Sequence, residues 1–261
     1  MILVLSGTAD GRRVVQELLD RGLPVMASAA TPYGGQLLAG CGAEIITGRL
    51  SEGELAGLMV KHRIRLLVDA THPYACLVSE TARRVCAQNN IPYLRYRRAE
   101  TVLPEHPLIH RVDGYEEAAR KAVSLGKTIF LTTGSKTLGI FLNEAHRHGC
   151  RVVARVLPEP EVIQHCRQLG LRPADIVAMQ GPFSRELNRA LLKQYAATVM
   201  VTKESGDAGG TGAKIEAALE LGVSVVVIKR PPEPAAEISG TIAELLERIE
   251  GIIITQKECR E

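Results

Sequence analysis

The sequence predicts an α/β fold built from two doubly wound parallel sheets. Three features of the chain of 261 residues carry this prediction. Short apolar runs alternate with amphipathic stretches from one end of the chain to the other, the runs are almost uniformly apolar, and polar or glycine-rich loops follow them. Parallel strands covered by helices on both faces have this pattern, and ligands bind outside their carboxyl ends.

In the first half, five strands are predicted between helical stretches. The strands are Ile2–Leu5, Pro24–Ala27, Glu44–Ile46, Leu66–Val68 and Tyr93–Tyr96. The intervening apolar stripes, which have helical spacing, begin at Val14, Leu55 and Val78.

The second half repeats this alternation. Its predicted strands are Thr128–Leu131, Arg151–Val156, Asp175–Ala178, Thr198–Val201 and Ser224–Ile228. Its predicted helices are Glu116–Ser124, Leu138–His146, Pro160–Leu169, Ser184–Tyr195, Ala213–Leu221 and Thr241–Ile249.

A polar segment, RYRRAETVLPEHPL, separates the two halves and contains two prolines. We therefore predict two Rossmann-like domains, residues 1–100 and 101–261, with a cleft between them that faces the carboxyl ends of both sheets.

Composition narrows the classes of function. The net charge is only +3, with 46% hydrophobic residues, which argues against a nucleic-acid binder. No apolar run is long enough to span a membrane, so we expect no membrane partner. The six cysteines are scattered without a CxxC pair, which favours reduced thiols in a cytoplasmic protein over a metal site.

The first loop of interest, SGTADG, joins a predicted strand to a predicted helix. We expect Gly7, Thr8, Ala9 and Asp10 to surround a pyrophosphate, because glycine permits close backbone approach and a helix amino terminus binds anions. The alternative is an ordinary turn with Thr8 or Asp10 as the helix N-cap.

The second loop contains Ser28, Thr31, Tyr33 and Gly34 and no carboxylate. NAD enzymes usually place an acidic residue near the end of this strand, and its absence leaves room for a 2′-phosphate. Arg49, or Arg12, could supply the positive charge, so the sequence favours NADPH over NADH. A plain turn without a ligand is the alternative.

The third loop, DATHPYA, carries Thr71, His72, Pro73 and Tyr74 after a buried strand. We expect Thr71 to be an N-cap and Pro73 to lie in the first helical turn. Tyr74 and His72 would then lie near the nicotinamide. The alternative is a capped helix with a partly buried histidine.

Loops of the second half are the candidates for binding the substrate. They contain Thr133, Gly134, Ser135 and Lys136, then Gly181, Pro182, Phe183 and Ser184, then Lys203, Glu204, Ser205 and Gly206, and finally Lys214. A lysine at a strand end, such as Lys203, would be partly desolvated unless an anion met it. The glycine-rich stretch 206–212 suits a loop that closes over a ligand, or a mobile surface loop.

The motifs SGTADG, DATHPYA, LTTG, GPFS, TKESG and GAKIEAALELGV stand in the order found in precorrin-6A reductases. The chain resembles that family, including its cobalt-precorrin-6A branch, from end to end. It departs from many relatives in having SGT where they have GGT, and its ATPYGG loop is more similar to the cobalt-dependent branch.

This resemblance implies an NADPH-dependent oxidoreductase of cobalamin (vitamin B12) biosynthesis, without flavin or protein-bound metal. It would reduce one double bond of a tetrapyrrole, (cobalt-)precorrin-6A, to give (cobalt-)precorrin-6B, and could hand its product to the next pathway enzyme. Such a substrate carries many carboxylates, which the lysines above and Arg95 could bind. The candidate proton donors are His72, Tyr74, Lys203 and water.

Two other classes of function stay open on the sequence. One is a dinucleotide-sensing module without catalysis, and the other is a two-domain transferase that uses a nucleotide sugar. Both are consistent with paired Rossmann-like domains.

Overall fold

The computed structural model describes residues 1–206, 209–234 and 238–258. It divides the chain into two compact units. Unit 1 consists of Met1–Ala99 together with Pro231–Glu261, and unit 2 consists of Glu100–Arg230. This division differs from the predicted ranges 1–100 and 101–261, because the C-terminal segment belongs to the first unit.

Unit 1 is a parallel sheet with helices between its strands. Its strands are β1 (Ile2–Ser6), β2 (Val25–Ala29), β3 (Glu44–Thr47), β4 (Leu66–Asp69), β5 (Tyr93–Tyr96) and β12 (Ile238–Ser239). Its helices are α1 (Ala9–Asp20), α2 (Pro32–Gln36), α3 (Glu52–Lys61), α4 (Cys76–Gln88) and α10 (Ile242–Glu258). Within the described residues the strand order is β3-β2-β1-β4-β5-β12, and strand order reverses between β1 and β4. This is the order of dinucleotide-binding folds.

The apolar stripes predicted from the sequence pack against both faces of this sheet. On one face, Val14 and Leu18 of α1 are fully buried together with Leu245 and Ile249 of α10. On the other face, α3 and α4 pack against Leu3, Leu5 and Leu67. Both faces of the sheet are therefore covered mainly by apolar side chains, and the buried Ser6 and Asp69 lie at the carboxyl ends of their strands.

The C-terminal segment joins unit 1 through backbone pairing and a buried ion pair. Ile238 pairs with Arg95 and Ser239 with Tyr96, in parallel register. The Arg95 guanidinium also contacts both carboxylate oxygens of Glu233, with Nε 3.1 Å from Oε2 and Nη2 3.3 Å from Oε1. These contacts link residues far apart in sequence, which is why sequence order assigned the segment to the wrong domain.

Unit 2 contains a second parallel sheet. Its strands are β6 (Ile109–Val112), β7 (Thr128–Leu131), β8 (Arg151–Val156), β9 (Ile176–Ala178), β10 (Val199–Lys203) and β11 (Ser224–Ile228). Its helices are α5 (Tyr115–Leu125), α6 (Leu138–Arg147), α7 (Pro160–Gln168), α8 (Arg185–Gln194) and α9 (Thr211–Glu220). In the part of the chain that is described, the order is β6-β11-β10-β7-β8-β9, so strand order reverses between β7 and β10. The loops after these two strands are LTTGSK and the TKESG stretch.

The two parallel sheets and their helices confirm the predicted fold class. The sequence missed α2, β6 and β12. Strand β6 carries His110 and Arg111 and does not have an apolar pattern, whereas β12 is only two residues long and α2 contains two glycines. Asp207 and Ala208 of the predicted glycine-rich loop lie outside the described residues.

Across the described ranges, no helix combines the length and the hydrophobicity that a membrane span requires. In the same ranges, no three His, Cys, Asp or Glu side chains are grouped so that they could hold a metal ion.

We expect Arg95→Met to destabilise unit 1. Arg95 is fully buried, and its loss leaves the carboxylates of Asp69 and Glu233 without their buried counter-charge. Breaking a buried pair in this way costs roughly 3–5 kcal/mol of unfolding free energy. Urea denaturation measures this loss of unfolding free energy.

The matched control is Arg84→Met, since Arg84 also pairs with a glutamate, Glu52, but on the surface. Exposed pairs contribute little, so its denaturation midpoint should stay close to that of the wild type. Equal effects of the two substitutions would contradict the importance of the buried pair.

Candidate functional site

The glycine turn between β1 and α1 is held by one threonine. Thr8 is the N-cap of α1, and its Oγ1 accepts a hydrogen bond from the backbone N–H of Gly11 at 3.0 Å. The same hydroxyl donates to the carbonyl oxygen of Ala70 at 3.2 Å. Thr8 thus joins the first loop to the loop after β4, on the two strands between which strand order reverses.

The turn has the close contacts that a dinucleotide-binding turn requires. A Cβ added at Gly11 would lie 2.6 Å from Ser6 Oγ, so only glycine lets the helix start this close to the strand. A Cβ added at Gly7 would meet nothing within 4 Å. Ser6 Oγ is buried without a hydrogen-bond partner among the described residues. Open space at a glycine and an unpaired hydroxyl beside it fit a phosphate group.

The Asp10 side chain has a role that the sequence did not indicate. Its carboxylate forms an ion pair with Arg98, and both side chains are largely buried. Its charge is therefore compensated by the protein, which removes the repulsion that a free carboxylate would exert on a phosphate. A small recess lies beside this pair, lined by Thr8, Asp10, Ala70, Thr71, Pro73, Tyr96, Arg97 and Arg98.

The second predicted loop forms the start of the short helix α2. Thr31 is its N-cap and accepts a hydrogen bond from the N–H of Gly34 at 3.0 Å. Ser28 is buried in β2, whereas the Tyr33 side chain is exposed. Arg49 is exposed on the loop that follows β3, which pairs with β2. These residues therefore share one edge of the sheet.

The DATHPYA loop begins with a buried aspartate that organises it. Asp69 Oδ1 accepts hydrogen bonds from the N–H and the hydroxyl of Thr71, at 3.0 and 2.7 Å, and from Arg95 Nη1 at 2.9 Å. Its Oδ2 accepts from the Tyr93 hydroxyl at 2.8 Å. Burial of Tyr93, and then the neighbouring carboxylate, raise the pKa of the phenol.

The expectation that Thr71 caps a helix is wrong. Helix α4 begins at Cys76, and its N-cap is Ala75, which makes no side-chain capping bond. The Thr71 hydroxyl is bound to Asp69 instead, and Pro73 lies in a turn before the helix.

His72 and Tyr74 lie together in this turn. The backbone N–H of Tyr74 donates to Nδ1 of His72 at 3.3 Å, and the ring centroids are 5.6 Å apart. Because Nδ1 is the acceptor, the proton of the neutral imidazole is on Nε2. The ring can therefore donate a hydrogen bond from Nε2.

The predicted role of Arg95 in substrate binding is wrong. The side chain is fully buried, and its guanidinium is bound by Asp69, Thr71 and Glu233. The sequence RYRR stands in a polar segment that predicts a linker. The partners of Arg95 lie 24 to 138 residues away in the chain, so the local sequence does not reveal that this arginine is buried.

In unit 2, the loop after β7 contains buried hydroxyl groups that bind nothing in the described part of the chain. They are Thr133 Oγ1 and Thr137 Oγ1. Gly134 has a φ of +83°, which favours glycine there. Lys136 is exposed on the same loop. Unpaired buried donors beside a lysine are suited to an anion.

Lys203 ends β10, the strand next to β7 at the point where strand order reverses. Burial, and to a smaller extent the nearby charge of Lys136, lower the pKa of Lys203 to about 8. Its ammonium nitrogen lies 5.5 Å from the ring centroid of Tyr115. A charge that is kept in an unfavourable environment is typical of functional sites.

The residues that follow Lys203 hold the loop itself. Glu204 is buried and forms an ion pair with Arg230, and its Oε1 accepts from the N–H of Thr101 and of Gly206, at 3.0 and 2.9 Å. Ser205 is also buried and bonds the hydroxyl of Thr211. The predicted substrate contacts of the Glu204 and Ser205 side chains are therefore wrong.

Lys214 also has a structural contact. Its Nζ donates to the carbonyl oxygen of Gly209 at 2.9 Å, which ties the first turn of α9 to the preceding loop. Its ammonium group is therefore engaged by the protein backbone.

The GPFS loop lies between β9 and α8. Ser184 is the N-cap of α8 and accepts from the N–H of Leu187. Phe183 lies under the guanidinium of Arg155, a residue that sequence reasoning missed. The available signal was the second arginine of the strand RVVARV, which stands between apolar residues.

The strand order of unit 1 and the geometry of its glycine turn define a dinucleotide-binding α/β protein. Residues 1–250 match the family model described as precorrin-6x reductase CbiJ/CobK. A cobalt-precorrin-6A reductase of Priestia megaterium is 39% identical, and the match covers 94% of this chain and 96% of that protein. Another from Methanothermobacter thermautotrophicus is 38% identical over 95% of this chain and 83% of that protein.

A solved structure of similar fold supports the same assignment. It is described as CobK precorrin-6A reductase, with a TM-score of 0.77, 25% sequence identity and 96% of both chains covered. The chain therefore belongs to the precorrin-6x reductase family, and the resemblance drawn from its motifs is confirmed.

We expect Gly7→Ala to weaken dinucleotide binding without loss of stability. The added methyl group meets no protein atom within 4 Å, so the fold should tolerate it, but it would occupy the space beside the turn where we expect a dinucleotide phosphate to bind. The NADPH dissociation constant should rise about tenfold or more, as loss of a charge-assisted hydrogen bond does. Fluorescence titration measures it.

Gly53→Ala, on the exposed side of α3, is the control, because a Cβ there also meets nothing within 4 Å. Its affinity for NADPH should be unchanged. An unchanged affinity of Gly7→Ala would place the phosphates elsewhere.

Proposed function

We propose that this chain reduces one double bond of cobalt-precorrin-6A to give cobalt-precorrin-6B, with NADPH as the reductant, in cobalamin biosynthesis. The match to precorrin-6x reductases over residues 1–250 carries this proposal. Four cobalt-precorrin-6A reductases, at 36–39% identity, are more similar to this chain than two precorrin-6A reductases, at 30% and 34%, while two further cobalt-precorrin-6A reductases are 31% and 26% identical. This difference favours the cobalt-containing substrate.

Unit 1 supplies residues that would hold the dinucleotide. The backbone of Gly7, Thr8, Ala9 and Asp10 would receive the pyrophosphate, with Ser6 Oγ as an additional donor. His72 and Tyr74 would border the nicotinamide, on the loop that Thr8 joins to the turn. When bound, the reduced nicotinamide supplies a hydride.

The second loop favours NADPH over NADH. Residues 28–35 contain no acidic side chain, which would bind a ribose 2′-hydroxyl and repel a 2′-phosphate. Arg49 is exposed at the carboxyl end of the neighbouring strand and could contact that phosphate. Tyr33 is exposed on the second loop and would cover the adenine.

Unit 2 would bind the tetrapyrrole. Lys203 and Lys136 bring two positive charges to the edge where strand order reverses, near the Thr133 and Thr137 hydroxyls, which have no hydrogen-bond partner among the described residues. A polycarboxylate would satisfy these donors and charges. The cleft expected between the two sheets stays a prediction.

The proton that the tetrapyrrole takes up after hydride transfer could come from a residue of either unit. A lysine with a pKa of about 8 is well matched to donate a proton near neutral pH. His72 could transfer a proton only as the imidazolium, which would break the hydrogen bond from the Tyr74 N–H to Nδ1, and the Tyr74 hydroxyl is the third candidate.

The test of the proposed function is turnover of purified protein with cobalt-precorrin-6A. Loss of nicotinamide absorbance should accompany the spectral change of the tetrapyrrole, and kcat/KM should be at least about tenfold higher with NADPH than with NADH, as for one phosphate ion pair. Precorrin-6A without cobalt is the parallel substrate.

Each alternative gives a different result. A sensing module would bind NADPH without consuming it, and a nucleotide-sugar transferase would not change nicotinamide fluorescence. Equal rates with both nicotinamides would contradict the reading of the second loop.

The pH dependence of kcat/KM should report Lys203. Only the protonated amine donates a proton or attracts an anion, so the wild-type value should fall as the pH rises through about 8. In Lys203→Met, kcat/KM should be lower and this inflection should be absent.

Lys203→Arg separates the two roles, because guanidinium keeps its charge at high pH but is a poor acid. If Lys203 only attracts an anion, this variant should stay active above pH 8. If Lys203 donates the proton, the variant should be slow at every pH. If the pH profile of Lys203→Met keeps the inflection near pH 8, the titrating group is His72, Tyr74 or another residue.

A further inference from the structure

Arg155 lies at the carboxyl edge of the unit 2 sheet. It is opposite Val177 in the pairing of β8 with β9, and it comes one residue after Ala154, which is opposite Leu131 at the end of β7. This places Arg155 level with the loops that follow β7 and β9. The residue is only 7% exposed.

Two contacts fix the orientation of the guanidinium. Its Nη1 donates to Asn188 Oδ1 at 2.7 Å, and its central carbon lies 4.2 Å from the ring centroid of Phe183. Asn188 is itself held by hydrogen bonds from Nδ2 to the carbonyl oxygens of Phe183 and Ser184, at 3.3 and 2.8 Å. The guanidinium is therefore positioned against the GPFS loop before any ligand arrives.

The charge of Arg155 is not compensated by any carboxylate among residues 1–206, 209–234 and 238–256. Arg151, at the other end of the same strand, shows the contrast, since its Nη2 lies 2.7 Å from Asp175 Oδ1. Burial lowers the pKa of Arg155 to about 10, which still leaves it charged at neutral pH. Keeping a buried cation without a counter-ion costs folding free energy, so a role outside folding explains it best.

We propose that Arg155 binds a carboxylate of the substrate at the GPFS loop and thereby contributes to substrate specificity. The planar guanidinium forms paired hydrogen bonds with carboxylates, and most of its N–H groups remain for this purpose. The inference rests on the proposed function. Phosphate has similar geometry, but the glycine turn of unit 1 already provides for the phosphates of the dinucleotide.

The test compares Arg155→Gln with Arg151→Gln. For Arg155→Gln, the KM of the tetrapyrrole should rise about tenfold or more, the size of a charge-assisted hydrogen bond, while kcat and the KM of NADPH stay within about threefold. Arg151→Gln removes a cation from the same strand at the opposite edge. It should leave both KM values unchanged and lower the Tm, because the buried Asp175 then keeps only Arg172 of its two arginine partners.

Arg155→Lys keeps the charge but removes the planar fork, and should raise the KM of the tetrapyrrole to an intermediate value. Arg155→Lys also provides the test of the proposal if Arg155→Gln does not fold. An unchanged tetrapyrrole KM in the folded variants would overturn the proposal. A rise in the KM of NADPH alone would also overturn the proposal, because it would indicate a phosphate contact. A fall in Tm and kcat without a change in the KM of the tetrapyrrole would overturn it too, because it would indicate a structural role.

A binding measurement without turnover separates this inference from the proposed function. Tricarballylate, a small tricarboxylate, should raise the Tm of the wild-type protein more than that of Arg155→Gln or Arg155→Lys. Equal shifts would overturn the carboxylate site. Failure of the wild-type protein to consume NADPH would instead overturn the proposed function, and the Tm comparison would still decide whether Arg155 binds carboxylates.

Discussion

The buried ion-pair network around Arg95 determines the organisation of unit 1. One fully buried guanidinium holds Asp69 at the end of β4, Thr71 in the candidate nicotinamide loop and Glu233 in the segment that returns from unit 2. Each carboxylate would be costly to bury alone, and together with the cation they are stable. The network therefore joins the sixth strand of the sheet to the loop on which the chemistry is expected.

Glu204 has a comparable role in unit 2. Its carboxylate pairs with Arg230, the last residue before the chain leaves the unit, and accepts from the N–H of Thr101, near the point where the chain enters it. The motifs DATHPYA and TKESG thus each contain an acidic residue that serves the architecture. Their acidic residues resemble ligand contacts in sequence, but in the structure they fix the loops that carry Thr71 and Lys203.

Pairing with a buried acid distinguishes the structural arginines of this protein from the residues that we propose for ligand binding. Arg95, Arg151 and Arg230 are paired with acids, and their contacts explain them fully as parts of the fold. Arg155 is instead desolvated, with a lowered pKa and no ion pair to an acid among residues 1–206, 209–234 and 238–256, and burial also lowers the pKa of Lys203. Both lie at the carboxyl edge of the unit 2 sheet, where ligands of doubly wound folds bind.

The sequence by itself determined the alternation of strands and helices, the glycine turn at Ser6–Gly11 and the family, because these depend on local patterns and short motifs. It did not reveal that the C-terminal segment belongs to the first unit, that Arg95 is buried, or that the Arg155 guanidinium lies over the Phe183 ring with no counter-ion among the described residues. Only the tertiary structure decided these points. Whether a charged side chain is solvated, paired or left for a ligand depends on neighbours that folding brings from distant parts of the chain.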